Sequence, residues 1–294
     1  CLNMVGTRIS KSASAIKIKD ATKTISGSDV QNVISKCVDG KIPEDYALVS
    51  VLPVEFTIDG DVVTSHPVGQ VSENLGLKAL VVSSHKDYVS EMLDIVNKAG
   101  LKVLDVVPSA VCDYYAFKNA STDVTYGVIV NLGAEIGTVS IFDQGMITEV
   151  STFRNGGKNI VNDISFVCKI DESDAKAIYN DITLASSKLA NPNEYRLVTN
   201  YDGEEVKLNQ YDMSEIATSR IVDILNLVKK QINILTKSEI SYIIVSGGLT
   251  ELRDFNYVVD SEFGKRATIG KLNLIGARDN SYTSAVGAIK LYDE

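Results

Sequence analysis

The amino-acid sequence predicts an α/β fold. Strand-like and helix-like segments alternate along all 294 residues, a pattern typical of α/β and α+β proteins. In residues 79–117 the alternation is a strand–helix–strand–helix succession, which indicates a compact subdomain of about one hundred residues in the first half. A three-stranded meander opens the second half, so a unit of different topology is expected to follow.

Apolar spacing and turn signals define the elements of the first half. Val89, Met92 and Val96 share one face of a helix that stops at Gly100, a typical residue at a helix C-terminus. The predicted elements, in order, are a helix at 28–38, an extended stretch at 46–58 closed by Asp59-Gly60, a strand at 79–83, a helix at 86–98, a strand at 103–107 and a helix opened by Pro108-Ser109 that runs to 117.

The second half combines the meander with a long amphipathic helix. Ile221, Leu225, Val228 and Ile232 recur at helical spacing along its apolar side. The predicted elements are strands at 126–131, 138–142 and 146–152, a helix from about Gly157, a shorter helix at 171–180, a hairpin around Asp202-Gly203, the long helix at 213–235 and a strand at 242–245 that runs into Gly247-Gly248.

Composition restricts the class of protein. Hydrophobic residues make up 45% of the chain and charged residues 23%, so a globular core is expected rather than disorder. A prior of roughly 150 residues per domain suggests about two domains. The formal charge of −9, without a dense basic run, argues against nucleic acid as a partner and against charge-driven membrane binding. Four scattered cysteines and two histidines argue against a zinc site and a disulfide framework. The chain starts at Cys1 without a methionine, so a processed protein or a fragment is expected.

Three glycine turns are candidate anion-binding sites. They are Asn-Leu-Gly-Ala-Glu at 131–135, Gly-Gly at 156–157 and Ser-Gly-Gly-Leu-Thr at 246–250, each at the end of a predicted strand. Glycine permits positive φ and a close approach of the backbone to an anion, and successive N–H groups can form a concave anion site. A helix after the third turn would add its N-terminal dipole. Taken singly, each turn is more typical of a plain tight turn, and neither the Walker A motif nor G-x-G-x-x-G occurs.

Several blocks, in this order, resemble the actin-like ATPase superfamily and, within it, the bacterial cell-division family FtsA. The resemblance covers nearly the whole chain. The blocks are Pro-Val-Glu-Phe-Thr-Ile-Asp-Gly at 53–60 with His-Pro-Val-Gly at 66–69, Gly-Gly-Lys-Asn-Ile-Val-Asn-Asp-Ile at 156–164, Ile-Gly-Ala-Arg-Asp at 275–279 and Ser-Tyr-Thr-Ser-Ala-Val-Gly at 281–287.

This resemblance implies an actin-like (ribonuclease H-like) two-lobed fold with an FtsA-type subdomain 1C. It also implies that the N-terminal part of subdomain 1A is absent from this chain. The implied assignment is 1–104 to subdomain 1C with at most a short end of 1A, 105–124 and 275–294 to portions of 1A, 125–152 and 241–274 to 2A, and 153–240 to 2B.

The resemblance further implies that the chain binds ATP, with Mg²⁺ carried by the nucleotide. The implied contacts are Asn131, Gly133, Ala134, Glu135, Ile136, Gly156, Gly157, Lys176, Gly247, Gly248 and Leu249. Many relatives have an acid at the position of Asn131, where it orients magnesium-bound water, and a neutral Asn cannot act as a general base. No catalytic residue is therefore assigned, and weak or absent ATPase activity is expected. The family's phosphate-1 hairpin, of the type D-x-G-[ST], does not occur in the chain and is expected to precede Cys1.

The partners implied by the resemblance are those of a cell-division adaptor. Such a protein self-assembles head to tail and joins the tubulin-like protein FtsZ to the cytoplasmic face of the inner membrane at the division site. The helix at 213–235 would bind the FtsZ C-terminal peptide, with Arg220, Lys229, Lys230 and Asn233 as polar contacts, although a solvated basic face fits each of them equally well. The membrane would be reached through a C-terminal amphipathic helix beyond Glu294. Two alternatives stay open: a small-metabolite kinase of the same superfamily, and a pilus-assembly scaffold of the same fold.

Overall fold

The computed structural model describes residues 2–4, 7–64 and 66–293, so Cys1 lies outside the described residues. Contacts within the chain divide it into two compact units, one formed by Cys1–Val111 with Gly145–Glu149 and the other by Cys112–Gln144 with Val150–Glu294. The predicted first boundary, at 104/105, differs from the main division at 111/112. The assignment of the four subdomains stays a prediction.

Helices and strands alternate as the sequence predicts, which confirms the α/β class. The helices are α1 (Gly27–Val38), α2 (Lys86–Lys98), α3 (Ser109–Phe117), α4 (Gly157–Cys168), α5 (Glu172–Asp181), α6 (Gln210–Leu235), α7 (Phe255–Phe263) and α8 (Thr283–Asp293). The strands are β1 (Leu2–Met4), β2 (Arg8–Lys17), β3 (Tyr46–Ile58), β4 (Val62–Thr64), β5 (Asn74–His85), β6 (Val106–Pro108), β7 (Tyr126–Leu132), β8 (Gly137–Asp143), β9 (Met146–Phe153), β10 (Tyr195–Thr199), β11 (Glu205–Asn209), β12 (Tyr242–Ser246) and β13 (Ala267–Ile269).

The first unit is built on a four-stranded antiparallel sheet in the order β2-β5-β3-β4. Helix α1 packs on this sheet through Val33 and Cys37, which lie in one buried cluster with Leu75 and Leu77 of β5. Burial of such side chains contributes about 1.5–3 kcal/mol for each large apolar residue. Pro53 lies inside β3, where the pairing register shifts between Pro53 and Glu55, so its missing N–H falls at a bulge.

The block at 53–60 is a strand followed by a locked turn. Asp59 and Gly60 both have positive φ, at 49° and 89°. The Asp59 carboxylate accepts hydrogen bonds from the backbone N–H groups of Glu73 (3.0 Å) and Asn74 (2.8 Å), and these bonds, the one from Asn74 foremost, hold the pKa of Asp59 below its usual value. These hydrogen bonds therefore tie the turn after β3 to the start of β5.

The second unit contains a five-stranded sheet in the order β13-β12-β7-β8-β9. Strands β7, β8 and β9 form the predicted meander, whereas β12 lies parallel to both β7 and β13. The register places Asn131 at the end of β7 opposite Ser246 at the end of β12. The chain therefore leaves both strands at the same edge of the sheet, where α/β proteins commonly bind ligands.

Helix α6 packs its apolar side against the five-stranded sheet of the second unit, in one buried cluster with residues of β7, β8 and β12. Asn209 caps its N-terminus by accepting a hydrogen bond from the N–H of Asp212 at 2.9 Å. The buried positions repeat at three- and four-residue intervals, as the sequence predicts: Met213, Ala217, Ile221, Ile224, Leu225, Val228 and Ile232. None of the helices in the described ranges is long and apolar enough to cross a bilayer.

Two predicted features differ from the structure, and strand β2 is an element that the sequence did not predict. The turn after β12 leads into a four-residue 3₁₀ turn, Gly248–Glu251, and α7 starts only at Phe255, so the expected helix dipole is missing at this turn. The strand predicted at 103–107 is observed only as Val106–Pro108. Strand β2 was not predicted, because the serines and lysines of its sequence give no continuous apolar signal.

Candidate functional site

The turn between β7 and β8 rests on the start of α4. The N–H of Gly133 donates to the carbonyl of Ile136 (3.0 Å), which closes the turn. The carbonyls of Gly133 and Ala134 accept from the N–H groups of Gly157 (3.0 Å) and Lys158 (2.8 Å). Two of the N–H groups that a helix start leaves unsatisfied are therefore already bonded to protein. The start of α4 therefore holds the turn between β7 and β8, and the N–H groups of Gly157 and Lys158 are not available to an anion.

Gly156 makes that packing possible through its missing side chain. Its φ of −168° is extended backbone, which any residue can adopt. A Cβ at this position would lie 2.6 Å from the carbonyl oxygen of Ala134 and closer still to that of Gly133. Glycine is therefore required here for close approach, not for a left-handed conformation.

Gly247 connects the β12 turn to the β7 turn. Its φ is 95°, and a Cβ there would lie 2.6 Å from the N–H nitrogen of Leu132 and collide with the side-chain oxygen of Asn131. Gly248 is different, because a Cβ added to it would meet the Cβ of Ser281 at an ordinary 3.5 Å. The two glycine turns therefore touch each other, and a small space is left beside Gly248.

A hydrogen-bond network supports the β12 turn from behind. The hydroxyl of Thr250 donates to the carbonyl of Gly247 (2.8 Å) and accepts from the side-chain amide of Asn280 (3.1 Å). The hydroxyls of Ser246 and Thr283 are 2.6 Å apart. The segment at 280–284 thus fixes the turn. The block at 281–287 carries part of the family resemblance, but its contact with the β12 turn was not predicted, because the two segments are about 30 residues apart in the sequence.

Leu249 and Tyr179 cover the side of Gly157. Leu249 is buried, and a Cβ at Gly157 would lie 3.6 Å from the Tyr179 hydroxyl and 3.7 Å from Cδ1 of Leu249. Burial raises the pKa of Tyr179 to about 12, so its hydroxyl stays protonated at neutral pH. Tyr179 was not predicted. Lys176, which was predicted, is exposed one turn earlier on α5 and makes no hydrogen bond or ion pair within the described part of the chain.

Glu135 and Ile136 line a cavity beside the β7 turn. Its volume is about 430 Å³, and the other lining residues are Arg154, Lys158, Asn159 and Asn162. The Glu135 carboxylate accepts from the Lys158 ammonium at 3.0 Å, and this bond raises the pKa of Lys158. The negative charge of Glu135 is therefore balanced locally, and Arg154 is exposed at the same cavity.

A buried carboxylate lies directly behind Asn131. Asp113 on α3 accepts from the side-chain amide of Asn131 (2.9 Å) and from the hydroxyl of Ser284 (2.5 Å). It is only 2% exposed, and burial raises its pKa from 3.8 to about 6, against the opposing effect of those two hydrogen bonds. Asp113 was not predicted, although an acid three residues from both Ala110 and Ala116, on the buried face of a predicted helix, is a usable signal.

The four predicted partner contacts on α6 do not form one surface. Arg220 makes a two-pronged ion pair with Asp163 of α4, with distances of 2.6 and 2.9 Å. Lys229 lies nine residues further, on the opposite side of the helix, and pairs with Glu262 of α7 at 2.6 Å. Lys230 and Asn233 are exposed. The basic groups of Arg220 and Lys229 are therefore already neutralised, and Lys230 is the exposed cation of the set.

In the residues that the structure describes, no three His, Cys, Asp or Glu side chains converge as a metal site would require. The thiols of Cys37, Cys112 and Cys168 are free.

Matches to known family profiles show which protein family the chain belongs to. A family profile described as "Cell division protein FtsA" matches residues 128–287, which is more than half of the sequence. The chain belongs to the FtsA family. A second profile, described as "SHS2 domain inserted in FTSA", matches residues 6–83, so both units carry FtsA sequence features. The predicted family is confirmed.

Relatives named cell division protein FtsA are similar over almost the whole chain. The protein from Enterococcus hirae is 24% identical over 278 residues, which cover 93% of this chain and 62% of the relative. The protein from Bacillus subtilis is 20% identical over 277 residues, which cover 94% of this chain and 63% of the relative. The chain thus spans less than two thirds of the length of these FtsA proteins.

Solved structures with the same architecture confirm the actin-like fold. The PilM–PilN type IV pilus biogenesis complex is similar over 97% of this chain and 76% of its own, with a TM-score of 0.63 and 13% identity. MreB5 of Spiroplasma citri bound to ADP is similar over 71% of this chain and 66% of its own, with a TM-score of 0.57 and 14% identity. At such identities the similarity concerns the fold alone.

Proposed function

We propose that the second unit binds ATP at the edge of the sheet where the β7 and β12 turns meet. The observation that carries this proposal is the contact between the two glycine turns, set by the pairing of Asn131 with Ser246 and by the close approach of Gly247 to Asn131. A Cβ added to Gly248 would meet Ser281 at an ordinary 3.5 Å, so this turn is less tightly packed than Gly247. A solved structure of the same fold, MreB5, is bound to ADP, which supports a nucleotide as the ligand.

Mg²⁺ would arrive with the nucleotide, because the described residues offer no carboxylate cluster of their own for a cation. Nucleotide then acts as an assembly ligand: binding to one conformation shifts the population toward it. A small-metabolite kinase would need an accessible general base. The carboxylate behind Asn131 belongs to Asp113, whose two oxygens are both engaged, so the structure gives this alternative no support.

Replacing Gly248 with Asp tests the nucleotide site. The new carboxylate would stand where a phosphate is expected, so we expect the affinity for MgATP to fall at least about tenfold, equivalent to about 1.4 kcal/mol. Isothermal titration calorimetry on the 294-residue chain measures this change. Gly248→Ala is the matched control, because its methyl group meets Ser281 at an ordinary distance, and we expect it to bind nearly as the wild type does. Equal affinity of Gly248→Asp and Gly248→Ala contradicts the assignment.

For the whole protein we propose the adaptor role of FtsA in bacterial cell division. In that role it self-assembles head to tail and links FtsZ to the cytoplasmic face of the inner membrane at the division site, through an amphipathic helix. The support for this role is family membership, to which α6 adds an exposed cation at Lys230. A pilus-assembly scaffold shares the fold through PilM, whereas the profiles that match residues 6–83 and 128–287 are both described as FtsA profiles.

Replacing Lys230 with Glu tests the partner surface. An acidic peptide that matches the FtsZ C-terminus should bind several-fold more weakly to this variant, because a favourable charge is replaced by a repulsive one. Fluorescence anisotropy with a labelled peptide measures the affinity. Lys19→Glu carries the same charge change on the first unit and is the control. Lys229→Glu is less informative, because it also breaks the ion pair with Glu262. If Lys230→Glu and Lys19→Glu bind the peptide equally well, Lys230 has no part in recognition.

A further inference from the structure

Among the residues that the structure describes, no cationic side chain pairs with the buried carboxylate of Asp113. Its neighbours are the amide of Asn131 on β7, the hydroxyl of Ser284 on α8 and the thiol of Cys112 on its own helix. Cys112 is the titratable group among them, and its pKa is raised to about 12 by burial and by the charge of Asp113, so it stays neutral. Within the described part of the chain, the groups that stabilise ionised Asp113 are therefore the hydrogen-bond donors Ser284 and Asn131.

Close packing of α3 against α8 produces this burial. A Cβ at Gly287 of α8 would collide with the carbonyl of Cys112 and lie 3.1 Å from the N–H nitrogen of Ala116. Water is thereby kept from Asp113, since no larger residue separates the two helices.

The buried charge lowers stability at neutral pH. Because the pKa of Asp113 is raised from 3.8 to about 6 in the folded chain, the native state binds more protons than the unfolded state between these two values. The contribution of Asp113 to stability is therefore highest below pH 4, is lost as pH rises from 4 to 6, and stays unfavourable above pH 6. Perturbed acids of this kind concentrate at functional sites.

The ionised carboxylate of Asp113 determines which end of the Asn131 side-chain amide, the NH₂ group or the oxygen, points toward the β12 turn. Ionised Asp113 only accepts hydrogen bonds, so the NH₂ group of Asn131 must point at it. That NH₂ group also lies 3.4 Å from the Ser284 hydroxyl. The other end of the amide, its oxygen, is turned to the backbone of Gly247. A flipped amide would place its oxygen against the carboxylate of Asp113.

We propose that Asp113 is a positioning residue that holds the oxygen of Asn131 toward the β12 turn, and that protonation of Asp113 releases this orientation and weakens ligand binding at acid pH. The inference rests on the proposed nucleotide site. A protonated carboxyl group can also donate, so both orientations of the amide then find a hydrogen bond. Only one of them presents an acceptor to a donor group of the ligand, such as a ribose hydroxyl or a bound water.

The direct test follows the side-chain amide signals of Asn131 by NMR in the ¹⁵N-labelled 294-residue chain without nucleotide. We expect these signals to titrate with a midpoint near pH 6 in the wild type and to lose that titration in Asp113→Asn. Ser284→Ala removes a hydrogen bond that favours the ionised form, so its midpoint should move to higher pH. The orienting role is read from through-space contacts of the Asn131 NH₂ protons, which should reach Gly247 in a flipped amide below pH 6. If Asp113 is merely structural, the NH₂ group faces Asp113 at every pH, although its signals still shift. Ser284→Ala also carries the test if Asp113→Asn fails to fold.

The functional test measures MgATP affinity of the wild type and of Asp113→Asn between pH 5 and pH 8. At pH 7.5 we expect the variant to bind roughly three- to tenfold more weakly, because only a fraction of its Asn131 amides is correctly oriented. At pH 5 the ratio of the two dissociation constants should approach one, since Asp113 is then protonated in the wild type. The titration of the phosphates is common to both proteins and cancels in the ratio.

The outcomes separate the two proposals. Absence of MgATP binding in the wild type rejects the nucleotide site, and the through-space contacts of the Asn131 NH₂ protons below and above pH 6 then decide the orienting role. Binding in the wild type with a ratio that is constant from pH 5 to pH 8 overturns the inference and leaves the nucleotide site standing. Asn131 signals that do not titrate near pH 6 in the wild type also overturn it.

Discussion

Gly156→Ala is expected to lower the free energy of unfolding by about 1–3 kcal/mol and to weaken MgATP binding. The added methyl group has no room, because it would lie within 2.6 Å of the carbonyl oxygens of both Gly133 and Ala134. These are backbone atoms, which cannot rotate away as a flexible side chain can. The β7 turn must therefore move, and its hydrogen bonds to Gly157 and Lys158 lengthen. Urea denaturation followed by circular dichroism measures the stability, and calorimetry measures the affinity.

The adjacent glycine provides the control for this prediction. A methyl group on Gly157 meets the Tyr179 hydroxyl and Leu249 at 3.6 and 3.7 Å, which are ordinary contacts. Gly157 also starts α4, where Ala is a better helix former than Gly. We expect Gly157→Ala to stay within about 0.5 kcal/mol of the wild type, as surface substitutions usually do. If the two alanine variants are equally stable, the packing of the β7 turn on α4 is not what requires Gly156.

The glycine pattern suggested a physical reason that the structure shows at one of the three turns. From the sequence, glycines that adopt positive φ around an anion are expected at each turn. Of the glycines in those turns that the structure describes, Gly247 does so. Gly156 has extended backbone and is needed for close approach to another turn. A sequence cannot separate these causes, because both select the residue without a side chain.

Periodic segments were predictable because their own residues determine them. Helix α2 was predicted at its observed bounds, and the meander of β7 to β9 was predicted from apolar runs separated by turn residues. The contacts that complete the site were not predictable in this way. Asp113 and Asn131 are 18 residues apart, and Asp113 and Ser284 are 171 residues apart. Only the folded sheet and the packing of α3 on α8 bring them together.

Two of the four predicted partner contacts on α6 make ion pairs within the fold, which the sequence did not indicate. Helical spacing gives the face on which a residue lies, so the opposite positions of Arg220 and Lys229 could have been read from the sequence. Their pairing with Asp163 and Glu262 could not, since both acids come from other helices. Charge on a helix therefore indicates a partner surface only after the ion pairs within the fold have been assigned.

Gly287→Ala is expected to destabilise the second unit although alanine is the better helix former. The substitution gains about 1 kcal/mol in helix propensity. Against this gain, the new methyl group would collide with the carbonyl of Cys112 and force α8 away from α3, which we expect to cost about 3 kcal/mol, the upper end for overpacking. The net loss in the free energy of unfolding is then about 2 kcal/mol, measured by urea denaturation.

The propensity effect can be measured separately in the same helix. Ala285 is exposed on α8, and Ala285→Gly should lower stability by up to about 1 kcal/mol without touching α3.

Separation of the two helices also admits water to Asp113. In Gly287→Ala the pKa of Asp113 should therefore move from about 6 toward its ordinary value of 3.8, because burial is what raises it. The NMR titration of the Asn131 amide reports this change as a midpoint at lower pH. A variant that is more stable than the wild type, with an unchanged midpoint, shows that the contact between α3 and α8 is looser than the structure indicates.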